Sequence, residues 1–185
     1  DLPGAQRKEF YTEKGTFHPV YYEDILRETG AQFIPADLTK KETLHQLFKQ
    51  DYDAVFSIAS LYDYFAEWDV LYRVNVLGHK NLVEAWIESG AEVKHWVHWS
   101  TDGVYGETPY LPGDENCPFN PPNDYSRSKA EQEKLLWKFH EEKGLPLTVL
   151  RPAPIYGPRH VYGVYHILLS VAKFGVGAVV RIYPR

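Results

Sequence analysis

The sequence predicts an α/β fold, a doubly wound parallel sheet covered by helices. Short apolar runs alternate with longer stretches of helical periodicity. Those stretches are long enough for the crossovers that parallel strands require. Glycines stand where the helical patterns stop, at Gly90 and Gly144.

The first predicted strand is Gln32 to Pro35. Thr39 then offers an N-cap with Glu42 as its capping-box partner, opening a helix over Lys40 to Gln50. Asp53 to Ala59 is the second strand. Ala66 to Ser89 is the next helix, its apolar face built from Val70, Val74, Leu77 and Val83 and widened by Leu71, Leu82, Ala85 and Trp86. Val93 to Trp99 is the third strand. Its Trp96 and Trp99 flank His98, and alternation assigns them to core packing rather than to a ligand crevice. Pro118, Pro121 and Pro122 stiffen the approach to a helix over Asn123 to Lys143, which Asn123 or Asp124 can cap. Pro146 to Leu150 is the fourth strand, and Val179 to Tyr183 reads as a later one.

Composition narrows the function. With 44% hydrophobic residues among 185, the chain can bury a sizeable core. Twenty basic against 25 acidic residues give a net charge of -5 without a basic block, which points to a small-molecule partner and away from nucleic acid and anionic membranes. The one cysteine, Cys117, cannot form an internal disulfide, so a reducing, cytoplasmic setting is expected. Lys173 interrupts the apolar stretch Ile167 to Val180, so no membrane segment is read. The eight histidines show no metal-ligand grouping, and no metal is expected. The chain starts at Asp1, contains no methionine and lacks a signal-peptide pattern, so it reads as a piece truncated at its N-terminus and at its C-terminus.

In such a sheet the chemistry gathers beyond the carboxyl ends of the strands. The four ends carry Asp37-Leu38, then Ser57 to Ser60, then Ser100 to Gly106, then Arg151 to Arg159. Asp37 can accept hydrogen bonds from an adenine amino group or belong to a helix entrance. Ala59 can admit a flat ring or a sugar close to the backbone, or serve packing. Tyr125 and Lys129 lie one helical turn apart, 24 residues beyond Thr101. A cation at that spacing favours the phenolate of a side chain that otherwise titrates near ~10. Among 14 tyrosines chance supplies roughly one such pair, so the pair draws its weight from its neighbours.

Together these residues resemble the extended short-chain dehydrogenase/reductase superfamily, and within it the NAD-dependent epimerase/dehydratase group, over most of the chain. The likeness rests on Asp37-Leu38, on Val55 to Ser60 and on Arg73 to Leu82. It continues through Ser100 to Gly106, Tyr125 with Lys129, and Leu150-Arg151-Pro152 to Tyr156-Gly157-Pro158-Arg159. The resemblance implies a Rossmann-like fold that binds NAD or NADP, and Tyr125 as the base that takes a proton from a substrate hydroxyl as hydride leaves the same carbon. Lys129 would lower the tyrosine pKa and hold the nicotinamide ribose. Thr101, or the adjacent Ser100, would bind the substrate oxygen. Asn75 would stand near the active site or hold helix geometry. Asp37, Leu38, Ala59, Tyr125 and Lys129, with Pro152 and Ile155 on the nicotinamide side, would contact the cofactor. Asp102 and Arg159 would contact substrate.

The chain departs from the family pattern in two places. The glycine-rich phosphate loop is absent, since Gly4, Gly15 and Gly30 do not form it. The first strand, helix and second strand are therefore expected upstream of Asp1, and this piece alone is expected to bind NAD poorly. Gly103 stands where the family's dehydratases carry a glutamate, which leaves epimerisation or alcohol oxidation of a nucleotide sugar. A hydrophobic alcohol of the steroid-dehydrogenase type and a non-catalytic dinucleotide-binding module are the alternatives. The expected division is an incomplete dinucleotide-binding domain over 1–151 and the start of a substrate-binding region over 152–185. Helices 66–89 and 123–143 offer faces for a homodimer.

Overall fold

The computed structural model describes residues 6–11, 16–21, 26–157 and 164–175. Residues 33–153 form one compact unit, and the second draws on segments 4–32 and 154–185. In the second unit, β1 (Gln6–Tyr11) and β2 (Thr16–Tyr21) pair antiparallel, and α4 spans Val164–Phe174. Neither the hairpin nor this helix was anticipated. The predicted strand over Val179 to Tyr183 lies outside the described residues. No described helix is long and apolar enough to cross a membrane.

The first unit holds β3 (Tyr52–Ser57), β4 (Val93–Trp99) and β5 (Leu147–Leu150), parallel and in that spatial order. The register pairs Ala54 with His95 and His98 with Val149. Three of the four predicted strands of this sheet are therefore present. Gln32 to Pro35 is not a strand. It is four residues long, and Pro35 has no N–H to give a ladder.

The crossover from β3 to β4 runs through α1 (Trp68–Leu71), a π-helical segment Tyr72–Leu77 and α2 (Gly78–Ser89). The crossover from β4 to β5 runs through α3 (Asp124–Lys143). Both end on left-handed glycines, Gly90 at φ 69° and Gly144 at φ 72°. With strands in sequential order, right-handed crossovers put both helices on one face of the three-strand sheet. Trp96 is fully buried in the core and stacks on Phe48 with ring centroids 6.1 Å apart. Leu44, Leu82, Val83, Val93, Leu136, Leu145 and Leu147 complete that core.

The helix expected over Lys40 to Gln50 is two 3-10 turns, Lys41–Thr43 and His45–Phe48. Side chains compete for the backbone there. Thr43 Oγ1 donates to Lys40 O at 2.8 Å, and Gln46 Nε2 donates to Thr43 O at 2.9 Å. Thr39 is not the cap. Its N–H and hydroxyl both donate to Asp37 Oδ1, at 2.9 and 2.8 Å, so the carboxylate shapes this turn.

Gly78 positions the first predicted cofactor residues. A Cβ there would stand 2.8 Å from Leu38 Cβ. Asn81, one turn on, donates from Nδ2 to Leu38 O at 2.9 Å. Gly78→Ala is accordingly expected to destabilise the unit by about 1–3 kcal/mol through overpacking, measured by urea denaturation. Gly30→Ala, where no atom stands within 4 Å of the added Cβ but φ is +74°, serves as the comparison for backbone strain alone.

Candidate active site

The loops beyond β3, β4 and β5 and the first half of α3 converge in the 33–153 unit. Asn123 opens α3, its Oδ1 accepting from Ser126 N at 2.8 Å. One face of that helix then buries Tyr125, Ser128, Lys129, Gln132 and Glu133, an i, i+3, i+4, i+7, i+8 stripe that is polar where a core helix is ordinarily apolar.

Lys129 is 1% exposed. Its Nζ donates to Trp99 O, the last carbonyl of β4, at 2.7 Å and to Ser60 Oγ beyond β3 at 3.1 Å. Burial pulls its pKa down to about 7, with the Glu133 carboxylate opposing that fall.

Tyr125 is 8% exposed. Its ring meets Tyr62 and Tyr64 edge-on, with centroids 5.0 and 5.3 Å away. Its phenol is pushed up to about 12, by burial first and then by the Tyr62 phenol. The sequence reading expects a phenol lowered by Lys129. The shift in this structure runs the other way, because aromatic rings enclose the tyrosine while the ammonium is bound to Trp99 and Ser60.

The two hydroxyls at the end of β4 differ. Ser100 is buried and donates to Glu133 Oε1. Thr101 is half-buried and caps the turn Asp102–Val104, accepting from Gly103 N at 3.1 Å and donating to Asp102 Oδ1 at 3.2 Å. Asp102 is exposed, and its N–H donates to Pro152 O at 3.2 Å, which ties the ends of β4 and β5 together. A Cβ on Gly103 would lie 2.8 Å from Ser126 Oγ, so this glycine lets the turn approach the start of α3.

Asn75 is fully buried in the π-helical segment, and its amide is spent on neighbours. Oδ1 accepts from Leu61 N at 2.7 Å, while Nδ2 donates to Leu61 O at 3.1 Å and to Ser128 Oγ at 2.9 Å. Ser128 Oγ in turn donates to Tyr125 O at 2.7 Å. Asn75 therefore pins the loop beyond β3 to α3.

Ala59 is exposed beyond β3. Asp37 keeps its carboxyl below the usual carboxylate range because Thr39 donates to it. Ile155 belongs to the second unit, and Arg159 lies outside the described residues. No group of three or more potential metal ligands occurs among the described residues.

Two groups of residues escaped the sequence reading. Glu133 is buried and receives Arg151 in a fork, Nη2 to Oε2 at 2.7 Å and Nε to Oε1 and Oε2 at 3.1 and 3.0 Å. Arg151 also donates to Tyr105 OH and lies 4.9 Å from the centre of the Phe119 ring. The helical spacing of Lys129 to Glu133 was the available signal. The second group is His79, His98 and Gln132. His79 Nδ1 stands 2.9 Å from Asn75 O and 2.5 Å from Gln132 Nε2. Burial, then Lys129, pushes His79 down to about 3, and burial lowers His98 also, so both rings are neutral.

These buried groups yield two expectations. Glu133→Ala leaves Arg151 unpaired and is expected to cost about 3 kcal/mol, the low end for a broken buried pair. Glu133→Gln with Arg151→Met is expected to cost less than the single change, both by urea denaturation. The neutral histidines also make stability pH-dependent. Unfolded, His79 takes up a proton near ~6.5, whereas folded it does so only near about 3. The histidine contribution to stability is therefore full above pH ~6.5 and is lost as pH falls toward 3, by up to roughly 1.4 kcal/mol per pH unit for each such histidine. His79→Gln should flatten that slope in denaturation curves taken across the interval.

The sequence is 34% identical over 142 residues to a 3beta-hydroxysteroid-dehydrogenase/decarboxylase of Arabidopsis thaliana, covering 73% of this chain and 31% of that protein. It is 32% identical over 139 residues to an N-acetyl-alpha-D-glucosaminyl-diphospho-ditrans,octacis-undecaprenol 4-epimerase of Escherichia coli O157:H7, covering 74% and 41%. Among solved structures it resembles a UDP-glucose 4-epimerase of Thermotoga maritima with UDP-glucose, at TM-score 0.67 and 27% identity over 80% of this chain and 57% of that one. The chain thus spans well under two thirds of these relatives. Residues 8–180 match the model of the NAD dependent epimerase/dehydratase family, and the chain belongs to that family.

Proposed function

We propose that Tyr125, Lys129 and Thr101 are the proton-handling groups of an NAD(P)-dependent epimerase or dehydrogenase acting on a hydroxyl or ketone of a nucleotide sugar. One observation carries the reading. A buried ammonium is anchored to Trp99 O at the end of β4, one helical turn from a buried phenol, and the half-buried Thr101 follows two residues after that carbonyl.

The residues fit a dinucleotide. An ammonium has three N–H groups, and Trp99 and Ser60 take two of those on Lys129, leaving one for a ribose hydroxyl. Ala59 is exposed with only a methyl group, so a ring can approach the backbone beyond β3. Asp37 and Leu38 would serve the adenosine side, and Pro152 and Ile155 the nicotinamide side. The bound cofactor supplies a two-electron hydride acceptor and donor.

This chain's residues handle the proton. In oxidation the alcohol's O–H proton would pass to Tyr125 Oη once that phenol has been ionised, as the C–H hydrogen leaves as hydride for the oxidised cofactor, giving the ketone. In reduction the phenol returns a proton to the ketone oxygen, and an epimerase does both with the hydride delivered to the other face. Thr101 Oγ1 orients the reacting oxygen, and Lys129 steadies negative charge on Tyr125. Asp102 and Arg159 would contact substrate. Gly103 offers no carboxylate for carbon deprotonation, which favours these reactions over dehydration.

The relative named for a 3beta-hydroxysteroid and the half-exposed Tyr62 and Tyr64 against Tyr125 support a second substrate, a hydrophobic cyclic alcohol. Self-association through helices 66–89 and 123–143, where Tyr72, Leu77, Ile87 and Trp137 are exposed, belongs to the same proposal and is read by sedimentation.

In the whole protein carrying this chain, Tyr125→Phe is expected to reduce NAD(P)-linked turnover of UDP-glucose or of a 3β-hydroxysterol by roughly 10²–10⁴-fold. Cofactor affinity, read by calorimetry, should not change. Retained turnover would remove Tyr125 from the mechanism.

A further inference from the structure

The loop beyond β3 places two aromatic rings against the side chain of Tyr125, and the proton steps above assign them no part. Tyr62 meets Tyr125 at 5.0 Å and 88°, Tyr64 meets it at 5.3 Å and 66°, and the two meet each other at 5.2 Å and 73°. These edge-to-face contacts are the favoured geometry for aromatic pairs. Tyr62 and Tyr64 remain 52% and 49% exposed, while Tyr125 beneath them is 8% exposed. The rings thus cover the phenol on one side and face outward on the other.

The loop is held for this purpose. Asn75 takes both the N–H and the C=O of Leu61, the residue before Tyr62. Through Ser128 the same amide reaches the Tyr125 carbonyl. Beyond the rings, Asp63 Oδ1 accepts from Phe65 N at 2.8 Å and turns the chain. Arg127 lies 3.9 Å over the Trp68 ring, fastening the start of α1 to α3. The spacing of the covering rings from Tyr125 is therefore built into both ends of the loop.

We propose that Tyr62 and Tyr64 form an aromatic cover over Tyr125 that determines specificity, admitting secondary alcohols carried on a saturated ring and discriminating against small open-chain alcohols. The inference rests on the proposed role of Tyr125. An outward aromatic face packs well against the C–H face of a six-membered ring, and such contact area compensates for displacing the cover. Propan-2-ol has the same reacting group and almost no face. A sugar and a sterol share the required chemistry, so both serve as probes.

The titratable groups facing Tyr125 are Tyr62 and Tyr64 from the loop, with Lys129 one turn along its own helix. Removing the rings admits water to the phenol and takes away the Tyr62 phenol that helps raise its pKa. The first readout is therefore the alkaline titration of Tyr125, followed by fluorine NMR of the 3-fluorotyrosine-labelled whole protein and assigned by loss of the signal in Tyr125→Phe. Tyr62→Ala with Tyr64→Ala is expected to move its midpoint to lower pH. The second is the ratio of kcat/KM for UDP-glucose or a 3β-hydroxysterol to that for propan-2-ol. The ratio should fall at least tenfold in the double alanine variant, mainly through KM of the ring alcohol. Tyr62→Phe with Tyr64→Phe keeps the rings and should keep the ratio.

A midpoint that stays fixed in the double alanine variant overturns the cover. A lowered midpoint with an unchanged ratio overturns the specificity role. Absence of turnover by the parent with all three alcohols refutes the proposed reaction instead, and the titration alone then decides the cover.

Discussion

Keeping an ammonium inside the protein is the constraint on which the rest of the 33–153 unit depends. An unpaired buried charge is far more costly than the few kcal/mol that hold a domain together, so Lys129 must find oxygens wherever its helix carries it. It finds the Trp99 carbonyl, where the β4 ladder ends, and the Ser60 hydroxyl beyond β3. That requirement lays α3 across the carboxyl ends of two strands and fixes its rotation. Tyr125, one turn earlier on the same face, then falls beneath Tyr62 and Tyr64 of the loop that follows β3.

The same face carries further polar groups, which are answered from the strand ends and from the π-helical segment. Glu133 meets Arg151 from the end of β5 and Ser100 from the end of β4. Ser128 meets Asn75 from the π-helical segment, and Gln132 meets the Asn75 carbonyl. A polar helix face buried in this way specifies one docking position more sharply than an apolar one, because a slip of one residue would orphan several donors at once. The widened turn over Tyr72–Leu77 fits this account. It brings the Asn75 amide to a loop on one side and to a helix on the other, a reach that π-bulges in helices often serve at functional sites.

What the sequence made legible follows from how local each signal is. The strands β3, β4 and β5, the helix ends at Gly90 and Gly144, the Asn123 cap and the Tyr125/Lys129 spacing depend on residues within a turn or two of one another. The 3-10 turns over 41–48 were lost because Thr43 and Gln46 bind backbone carbonyls, which a periodicity count does not register. Gln32 to Pro35 looked like a strand on its apolar residues alone, and strand identity needs a neighbour. Glu133 with Arg151, and Tyr62 with Tyr125, are 18 and 63 residues apart. No spacing rule links such pairs, although the polar stripe from Tyr125 to Glu133 was visible and marks a helix whose buried face needs partners. Thr101 and Ser100 were indistinguishable as letters. Burial separates them, since the buried Ser100 hydroxyl is committed to Glu133 and the half-buried Thr101 hydroxyl caps the turn that follows it.

The raised phenol of Tyr125 bears on the direction of chemistry. A tyrosine lowered toward neutrality in the resting protein would spend its time as a phenolate exposed to water and to stray acids. In this structure it is held as a phenol by burial and by Tyr62, while burial brings the Lys129 pKa down to about 7 against the pull of Glu133. The two groups are thus displaced in opposite senses from the charged pair that favours proton abstraction. In the proposed reaction, resting neutrality would make Tyr125 a ready donor to a ketone oxygen. For the proposed role as a base, substrate and cofactor would have to replace the aromatic cover with polar partners, so that the ammonium, the phenol and the reacting oxygen come under one field. If Tyr125 has its proposed role, the loop beyond β3 belongs to the proton chemistry as much as Lys129 does, because the rings it carries set the resting state of the phenol.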